Sequence, residues 1–365
     1  MSRGVGRSIV EALLAGSGGR MAALAAWLLL AGAGALLWMV ALRGVWPILD
    51  VAAPLSLHAL ALALIAGATL ALRRGRLVFL ASSLGVLALA PSLLTLDARE
   101  RPGVIGRTVL RPETGIGRLS SEGRPVLRVL AINTFRGNSS LDELTRYVAR
   151  ADAEVVVLSE FGPEKQVLLD RLKRAYPYQV SCAHAWPCAQ VLLSRERFDR
   201  SGTVMPSPTS PPLVWAEFRI GGVSGAKVTV LGTHIYRPSR HYGWHRDQLA
   251  GLARRIRGLD GSVIVAGDFN MTRLTHSYAD FLAESGLVAG DRELASWPAW
   301  PAPMPLPQFQ IDHLFVSGEL AVVDQRVGVP VGSDHLPLWS AVRMPTRATI
   351  MARRPQTTDD AETLR

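Results

Sequence analysis

The chain has 365 residues, of which 48% are hydrophobic and 19% charged, and its formal net charge is +10. Soluble globular domains contain about 25% charged residues, so this chain is unusually apolar on average. The charges are unevenly spread, because residues 1–100 hold four acidic and eight basic residues while the remainder holds 26 and 32. This composition excludes a wholly disordered chain, a collagen-like fibre and a disulfide-rich miniprotein. It predicts an apolar N-terminal part joined to an ordinary soluble domain.

Three long runs without charged residues lie in the N-terminal part: Met21–Leu42, Val51–Leu72 and Leu77–Leu96. A helix needs about 20 apolar residues to cross the hydrocarbon core of a bilayer. The runs contain 22, 22 and 20 residues, so we predict three transmembrane helices within a membrane anchor over residues 1–97. Buried core helices are an alternative for all three runs, and a cleaved signal peptide is an alternative for the first.

The arginines predict the orientation of this anchor. Arg3, Arg7 and Arg20 precede the first run and three more arginines fill the second connection, whereas the first connection carries only Arg43. Because positive residues favour the cytoplasmic side, residues after 97 are expected outside it. Arginine outnumbers lysine 37 to 3, which together with abundant Ala and Gly indicates a GC-rich bacterial genome. We therefore expect a multi-pass protein of the bacterial inner (cell) membrane with its large domain in the periplasm or outside.

The sequence holds two cysteines, Cys182 and Cys188. An oxidising compartment would join such a closely spaced pair, so a disulfide is favoured. A zinc half-site is the alternative, although the sequence has no second cysteine pair to complete it.

The part beyond the anchor divides into three segments. Residues 98–124 are rich in Arg, Gly and Pro and are expected to form a linker, residues 125–344 one domain, and residues 345–365 a disordered polar tail.

Within the domain, strands are expected to outnumber helices. Apolar β-rich runs are Val126–Ile132, Val155–Leu158, Val191–Leu193, Val214–Ile220, Val228–Leu231, Val263–Ala266, Ile311–Val316 and Leu336–Val342. Helical periodicity covers Leu141–Ala149, Gln166–Ala175, Trp244–Leu259 and Tyr278–Glu284. Several strands are too close together for helical crossovers, so the pattern predicts an α/β sandwich of largely antiparallel character.

Polar side chains follow the apolar runs directly in six segments. These are A-I-N-T-F with Asn133, V-V-L-S-E-F with Glu160, L-G-T-H with His234, V-A-G-D-F-N with Asp268 and Asn270, F-Q-I-D-H with Asp312, and V-G-S-D-H-L-P with Asp334 and His335. A single Asn or Asp after a strand is usually a turn residue. Six such segments in series indicate catalytic groups presented by loops on a rigid scaffold.

In this order the segments resemble the endonuclease/exonuclease/phosphatase superfamily, the deoxyribonuclease-I-like hydrolases. The resemblance covers about 220 residues, essentially the whole domain, and its most specific elements are G-D-F-N and S-D-H-x-P. It implies a four-layered α/β sandwich and Mg²⁺- or Mn²⁺-dependent hydrolysis of phosphodiesters or phosphomonoesters.

The resemblance also implies a metal site. Glu160 would be the principal metal ligand, with Asn133 and Asp334 near the metal. The chemistry suits these residue types, because Mg²⁺ prefers hard oxygen ligands and keeps several waters, so that one or two carboxylates suffice. A cation is needed in such a reaction to neutralise the charge of the phosphate ester.

The remaining site residues would act on the water and the phosphate. By resemblance His335 is the general base or, when protonated, stabilises the phosphate, and Asp312 orients its ring. Asp268 would position or activate the attacking water, and Asn270 and His234 would donate hydrogen bonds to phosphate oxygens. Whether Asp268 or His335 takes the proton stays open at this level.

Five other histidines of the domain have no role in this interpretation. His313 follows Asp312 where the family often carries an aromatic residue, and we expect it to be structural. The others, His184, His241, His245 and His276, lack motif context and are expected at the surface.

The predicted function is a membrane-anchored, extracytoplasmic, metal-dependent phosphoesterase whose partners are the bilayer and a phosphoester substrate, lipid or envelope-derived by location. A membrane-tethered nuclease is one alternative, but the domain shows no arginine stripe or basic patch interleaved with aromatic residues. A catalytically silent binding module on the same fold is the other. Degenerate copies usually lose the metal carboxylate or the base, whereas Glu160 and His335 are both present here.

Overall fold

The structure is a computed structural model, and it describes residues 17–74, 118–119, 125–182, 188–208, 210–220, 226–290 and 309–345. The chain forms two compact units, one from Met1–Glu100 with Met271–Ala279 and the other from Arg101–Asn270 with Asp280–Arg365. The predicted third span (77–96), most of the predicted linker and nearly all of the predicted tail lie outside the described residues.

The first unit contains helix α1 (Ser17–Leu42), a 3₁₀ helix (Pro47–Leu55) and helix α2 (Ser56–Arg74). Within α1, Ala23–Leu42 has a mean hydropathy of 2.1 and is long enough to cross a membrane. The 3₁₀ helix and the part of α2 over His58–Leu70 satisfy the same criteria only as a pair bent by 59°. By length and composition, the described residues therefore hold one candidate membrane span, and the bent pair adds a second if it is counted as a single span. A signal sequence has the same features as the first candidate.

The second predicted span requires one continuous helix over Val51–Leu72, and this prediction is wrong. Pro54 lacks a backbone N–H and disfavours the helical conformation of the residue before it, so a helix is interrupted there. The chain changes from 3₁₀ to α geometry after Leu55, and Ser56 Oγ donates a hydrogen bond to the Ala53 carbonyl oxygen at 2.5 Å. Of the three expected spans, the described residues thus retain one straight helix and one bent pair.

Asp50 is a buried acid of the first unit. Its carboxylate accepts hydrogen bonds from the backbone N–H groups of His276 and Ser277 at 2.7 and 3.0 Å. These donors compensate the cost of burying the charge.

The second unit contains the strands of two mixed sheets. The strands are β1 (Arg118–Leu119), β2 (Pro125–Asn133), β3 (Val155–Ser159), β4 (Tyr178–Ser181), β5 (Val191–Ser194), β6 (Arg200–Val204), β7 (Leu213–Ile220), β8 (Ala226–His234), β9 (Ser262–Asp268), β10 (Leu287–Ala289), β11 (Asp312–Ser317), β12 (Ala321–Val327) and β13 (Leu338–Arg343). The helices are α3 (Leu141–Arg150), α4 (Val167–Leu172), α5 (Pro238–Arg257) and α6 (His276–Ser285), with a 3₁₀ turn at Pro163–Lys165. The first four residues of α6 belong to the first unit.

The first sheet has the order β12-β13-β2-β3-β5-β4, with β1 paired to β2, and the second has the order β10-β11-β9-β8-β7-β6. Pairs β2–β3 and β8–β9 are parallel. The other described pairs are antiparallel, which confirms the expected largely antiparallel character.

The two sheets pack face to face. Alternate residues of both, such as Val129 and Val157 in the first and Val230 and Ile264 in the second, belong to one buried apolar cluster. This is the period of two that places every second side chain on the inner face.

Helices cover the outer faces of the sheets. Leu130 and Val156 of the first sheet pack against Leu144 of α3 and Leu168 of α4 in a second buried cluster. On the second sheet, Phe281 of α6 packs against Phe315 of β11, with ring centroids 5.4 Å apart. This arrangement agrees with the expected α/β sandwich.

The eight predicted strands and four predicted helices of this unit are all present, although β1, β4, β6, β10 and β12 were not predicted. Strand β1 lies within the segment expected to be a linker and pairs with β2. Cys182 and Cys188 form a disulfide, which confirms the favoured alternative.

Gly267 allows β8 and β9 to approach closely just before Asp268. Its φ is +143°, and a Cβ at this position would overlap the Thr233 carbonyl oxygen. We expect Gly267→Ala to destabilise the protein by about 1–3 kcal/mol, because it adds a clash to a backbone conformation that suits glycine. Thermal unfolding of the purified chain in detergent measures this change.

Gly202→Ala is the matched control, since a Cβ there would lie 3.5 Å from Trp215 Nε1, an ordinary contact. If the Gly267→Ala protein unfolds at the wild-type temperature, this result contradicts the close approach of β8 and β9 at Gly267.

Candidate active site

Three of the polar segments lie next to one another at the ends of neighbouring strands in the second sheet. Strand β8 ends at His234 and β9 at Asp268, and these two residues are paired across the parallel strands. The antiparallel strand β11 begins at Asp312, which is paired with Asp268 on the other side. Three predicted site residues therefore lie side by side at one edge of the sheet.

Asp268 is at the centre of this edge and has no solvent exposure. Its Oδ2 accepts hydrogen bonds from Asn133 Nδ2 at 3.0 Å and from Asn270 Nδ2 at 3.2 Å. Its Oδ1 accepts one from the backbone N–H of Asn270 at 2.9 Å. Burial raises the pKa of Asp268, although the nearby charge of His335 opposes the shift.

His335 is also fully buried and is held by a carboxylate. Its Nδ1 donates to Asp312 Oδ2 at 2.7 Å, and its Nε2 lies 3.8 Å from Asp268 Oδ2. Burial disfavours the charged ring, but Asp312 and Asp268 outweigh it and raise the pKa of His335 to about 9. Asn133 Nδ2 lies 3.3 Å from His335 Nε2, so the amide is close to both His335 and Asp268.

Glu160 follows β3 in a left-handed backbone conformation, with φ +51°. Its Oε1 accepts a hydrogen bond from Asn133 Nδ2 at 3.2 Å and its Oε2 one from the Arg136 backbone N–H at 3.0 Å. His234 Nε2 lies 3.6 Å from both Glu160 Oε1 and Asp268 Oδ2. Burial favours the neutral carboxyl, but the charge of His234 and the bonds from Arg136 and Asn133 lower the pKa of Glu160.

The S-D-H segment is fixed by its serine. Ser333 Oγ donates to the Asn133 carbonyl oxygen at 2.6 Å and accepts from the His335 backbone N–H at 3.0 Å. Asp334 is half-buried next to His335, and its charge contributes to the raised pKa of that ring.

The structure therefore brings seven of the eight predicted residues into one connected group, namely Asn133, Glu160, His234, Asp268, Asn270, Asp312 and His335. Asp334 is linked to the group through its charge on His335.

Two of the remaining histidines, His313 and His245, are both buried. His313 is buried and stacks on Phe315 with ring centroids 5.3 Å apart, in agreement with a structural role. His245 is fully buried, so its expected place at the surface is wrong. It lies on the same face of α5 as the buried Leu249 and Leu252, a spacing of four and seven residues that could have revealed its burial.

The sequence patterns did not predict roles for Thr134 and Lys165. Thr134 Oγ1 donates to the Ser159 carbonyl oxygen at 2.8 Å, and Lys165 lies fully buried beneath the turn that carries Glu160. The available signal was that Lys165 is one of only three lysines in an arginine-rich chain.

Among the described residues, no group of three or more His, Cys, Asp and Glu has the arrangement of a metal centre. The donor set around Glu160 fits a hard cation such as Mg²⁺, because that carboxylate has a lowered pKa and such ions need only one or two carboxylates.

Residues 130–335 match the Endonuclease/Exonuclease/phosphatase family, and because this match covers more than half of the sequence, the chain belongs to that family. No curated protein matches the chain.

Several solved structures are similar to this chain, and those with a TM-score of at least 0.50 share its fold. TDP2 from D. rerio, complexed with a single-strand DNA product, is 16% identical with a TM-score of 0.51, covering 60% of this chain and 98% of that one. A functionally unknown conserved protein from Enterococcus faecalis V583 is 13% identical with a TM-score of 0.50, covering 59% and 99%. Sphingomyelinase C from Streptomyces griseocarneus is 21% identical with a TM-score of 0.45, covering 60% and 99%.

The raised pKa of His335 predicts how stability depends on pH. The protonated ring stabilises the folded state fully below about pH 6.5, the usual histidine pKa. This contribution is lost as the pH rises through the folded value of about 9. We expect a melting temperature that falls over this range, by the equivalent of at most about 3 kcal/mol, and a smaller fall in His335→Gln.

The exposed His241 provides the control, since His241→Gln should keep the full wild-type fall. An equal fall in wild type and His335→Gln would contradict the assignment.

Proposed function

We propose that the protein is a membrane-anchored, divalent-metal-dependent phosphoesterase that hydrolyses phosphodiester or phosphomonoester bonds. The observation that carries this proposal is the meeting of Asp268, the Asp312–His335 pair and Glu160 at one edge of the sheets. Membership of the Endonuclease/Exonuclease/phosphatase family supports hydrolase activity.

Glu160 would hold the cation, with Asn133 and Asp334 near it. A cation bound there would neutralise charge on the phosphate and so favour attack by water. Asn133 keeps the Glu160 carboxylate close to Asp268, because its amide lies within hydrogen-bond distance of both.

Asp268 orients the attacking water and accepts its proton. A raised pKa makes this buried carboxylate a stronger base than an exposed aspartate. The protonated His335, oriented by Asp312, donates from Nε2 and stabilises negative charge on the phosphoryl oxygens. His234, whose side chain is partly exposed, is placed to donate a further hydrogen bond to the phosphate.

We infer a role for Asn270 that differs from the expected phosphate contact. Its Nδ2 donates to the Ile235 carbonyl oxygen at 2.8 Å and to Asp268 Oδ2 at 3.2 Å, so both amide hydrogens are used within the protein. We therefore propose that Asn270 orients the Asp268 carboxylate.

Two observations support an extracytoplasmic, membrane-anchored location. The Cys182–Cys188 disulfide is typical of oxidising compartments, and α1 is apolar and long enough to cross a bilayer. Phosphoesters of the bacterial envelope, including phospholipids and sugar phosphates, are within reach of such an enzyme. The single-strand DNA product bound by D. rerio TDP2 makes oligonucleotides a necessary comparison.

Activity of the purified full chain in detergent tests the proposal. The panel is bis(p-nitrophenyl) phosphate, p-nitrophenyl phosphate, phospholipid in mixed micelles and a single-stranded oligonucleotide, each with Mg²⁺ or Mn²⁺. We expect turnover that EDTA abolishes, and a loss of at least about 100-fold in kcat for Glu160→Gln, Asp268→Asn and His335→Gln.

Asp142→Asn is the matched control, since Asp142 is an exposed carboxylate paired with Arg171 and should not affect turnover. The proposal fails if no member of the panel is hydrolysed, or if turnover survives EDTA and all three substitutions.

The protonation states assigned to Asp268 and His335 predict a bell-shaped dependence of kcat/KM on pH. Activity should decrease on the acid side as Asp268 takes up a proton, above its ordinary value of 3.8. It should decrease again on the alkaline side as His335 loses its proton near pH 9. The residual activity of His335→Gln should lack the alkaline decrease, and a wild-type rate that keeps rising beyond this pH would contradict the assignment.

A further inference from the structure

Lys165 is a fully buried lysine whose ammonium group binds backbone carbonyls rather than a buried carboxylate. Its Nζ donates to the Phe135 carbonyl oxygen at 2.8 Å and to the Glu160 carbonyl oxygen at 2.9 Å. Two longer contacts of 3.4 Å reach the Arg136 carbonyl oxygen and Oε1 of the half-exposed Glu164. A buried ammonium is costly without such acceptors, so its position is determined by them.

The two short contacts are made to residues with unusual backbone geometry. Phe135 has φ +53° and Glu160 has φ +51°, both in the left-handed region that non-glycine residues rarely adopt. Such a conformation is energetically unfavourable for a non-glycine residue and persists only where neighbouring contacts stabilise it. Both carbonyl oxygens are directed at Lys165 Nζ, so the ammonium stabilises the two turns together.

The same two turns determine where the Glu160 carboxylate lies. Arg136, next to Phe135, donates its backbone N–H to Glu160 Oε2 at 3.0 Å. Thr134 Oγ1 lies 3.1 Å from the Glu160 carbonyl oxygen, within reach of a hydrogen bond. Both the carbonyl and the carboxylate of Glu160 therefore contact the loop after β2. Lys165 also links this loop to the Glu160 turn, because its ammonium binds a carbonyl of each.

We propose that Lys165 is a positioning residue that holds the Glu160 turn and the loop after β2 in the arrangement that binds the divalent cation. This inference rests on the proposed function, which places the cation at Glu160. An ammonium is compact and can meet carbonyls from several directions, whereas a guanidinium presents its donors in one plane. This explains a lysine at position 165 in a chain where 37 of 40 basic residues are arginine.

The direction in which cation affinity changes when Lys165 is replaced distinguishes a positioning role from an effect of its charge and from a purely structural role. Removing a positive charge near the cation would, through charge alone, tighten cation binding. A purely structural role would lower the melting temperature and leave the affinity of the folded protein unchanged. Positioning predicts weaker binding in a protein that is still folded.

Mn²⁺ binding to the purified full chain in detergent, followed by the electron paramagnetic resonance signal of free Mn²⁺, tests this inference without relying on activity. Lys165→Met keeps an unbranched apolar side chain and removes the ammonium, and we expect the Kd for Mn²⁺ to rise by about 10–100-fold. Lys173→Met is the matched control, because Lys173 is an exposed lysine directly after α4 and should leave the Kd unchanged.

Thermal unfolding establishes that each variant is folded before titration. If Lys165→Met gives no cooperative transition, Lys165→Gln, which retains an N–H donor, is titrated instead and should also bind Mn²⁺ more weakly than wild type. A folded Lys165 variant with wild-type or tighter affinity overturns this inference alone. A wild-type chain that binds no Mn²⁺ overturns the proposed function, and the inference with it.

Discussion

Asp268 is a carboxylate without access to water, and the arrangement of the site follows from the need to compensate its charge. A buried carboxylate is costly unless hydrogen-bond donors surround it. Asn133 donates from the end of β2 in the first sheet and Asn270 from the loop after β9 in the second. His335 approaches from the segment before β13, with Nε2 3.8 Å away. The Asp268 carboxylate therefore contacts residues from both sheets at the edge where their apolar interface ends. The geometry of the candidate site depends on how the two sheets pack against each other.

Backbone strain is concentrated at the same edge. Phe135, Glu160 and Asn270 are the non-glycine residues with positive φ among the described residues, and all three lie in the site. Such conformations need contacts that stabilise them, and each has some here. Lys165 binds the carbonyls of Phe135 and Glu160, and Asp268 accepts the backbone N–H of Asn270. The sheets provide rigid strand ends, and these short turns direct the functional side chains away from the strands.

The central strands and the site could be predicted because both leave a local pattern. Strand β9 is buried at every position and reads as an apolar run that ends in Asp268, whereas β6 is mostly exposed and has no such run. The polar residue after each run identified the residues that the structure brings together in the candidate site. Lys165 was not predicted, because it is the last residue of a proline-initiated 3₁₀ turn and one of its two main partners, Phe135, lies 30 residues away in sequence. The interruption of the second apolar run at Pro54 was underestimated because hydropathy does not record backbone geometry.

The charges of the site bear directly on what it can bind. Asp268, Asp312 and Glu160 supply three carboxylates within one hydrogen-bonded group, and His335, with a pKa of about 9, supplies a positive charge beside Asp268 and Asp312. The lowered pKa of Glu160 keeps its carboxylate ionised at neutral pH, and this negative charge would repel a phosphate ester. Positive charge must therefore enter with or before the substrate, and the most exposed of the three carboxylates, Glu160, is where it can be accepted. This electrostatic requirement is a second argument for the divalent cation proposed at Glu160.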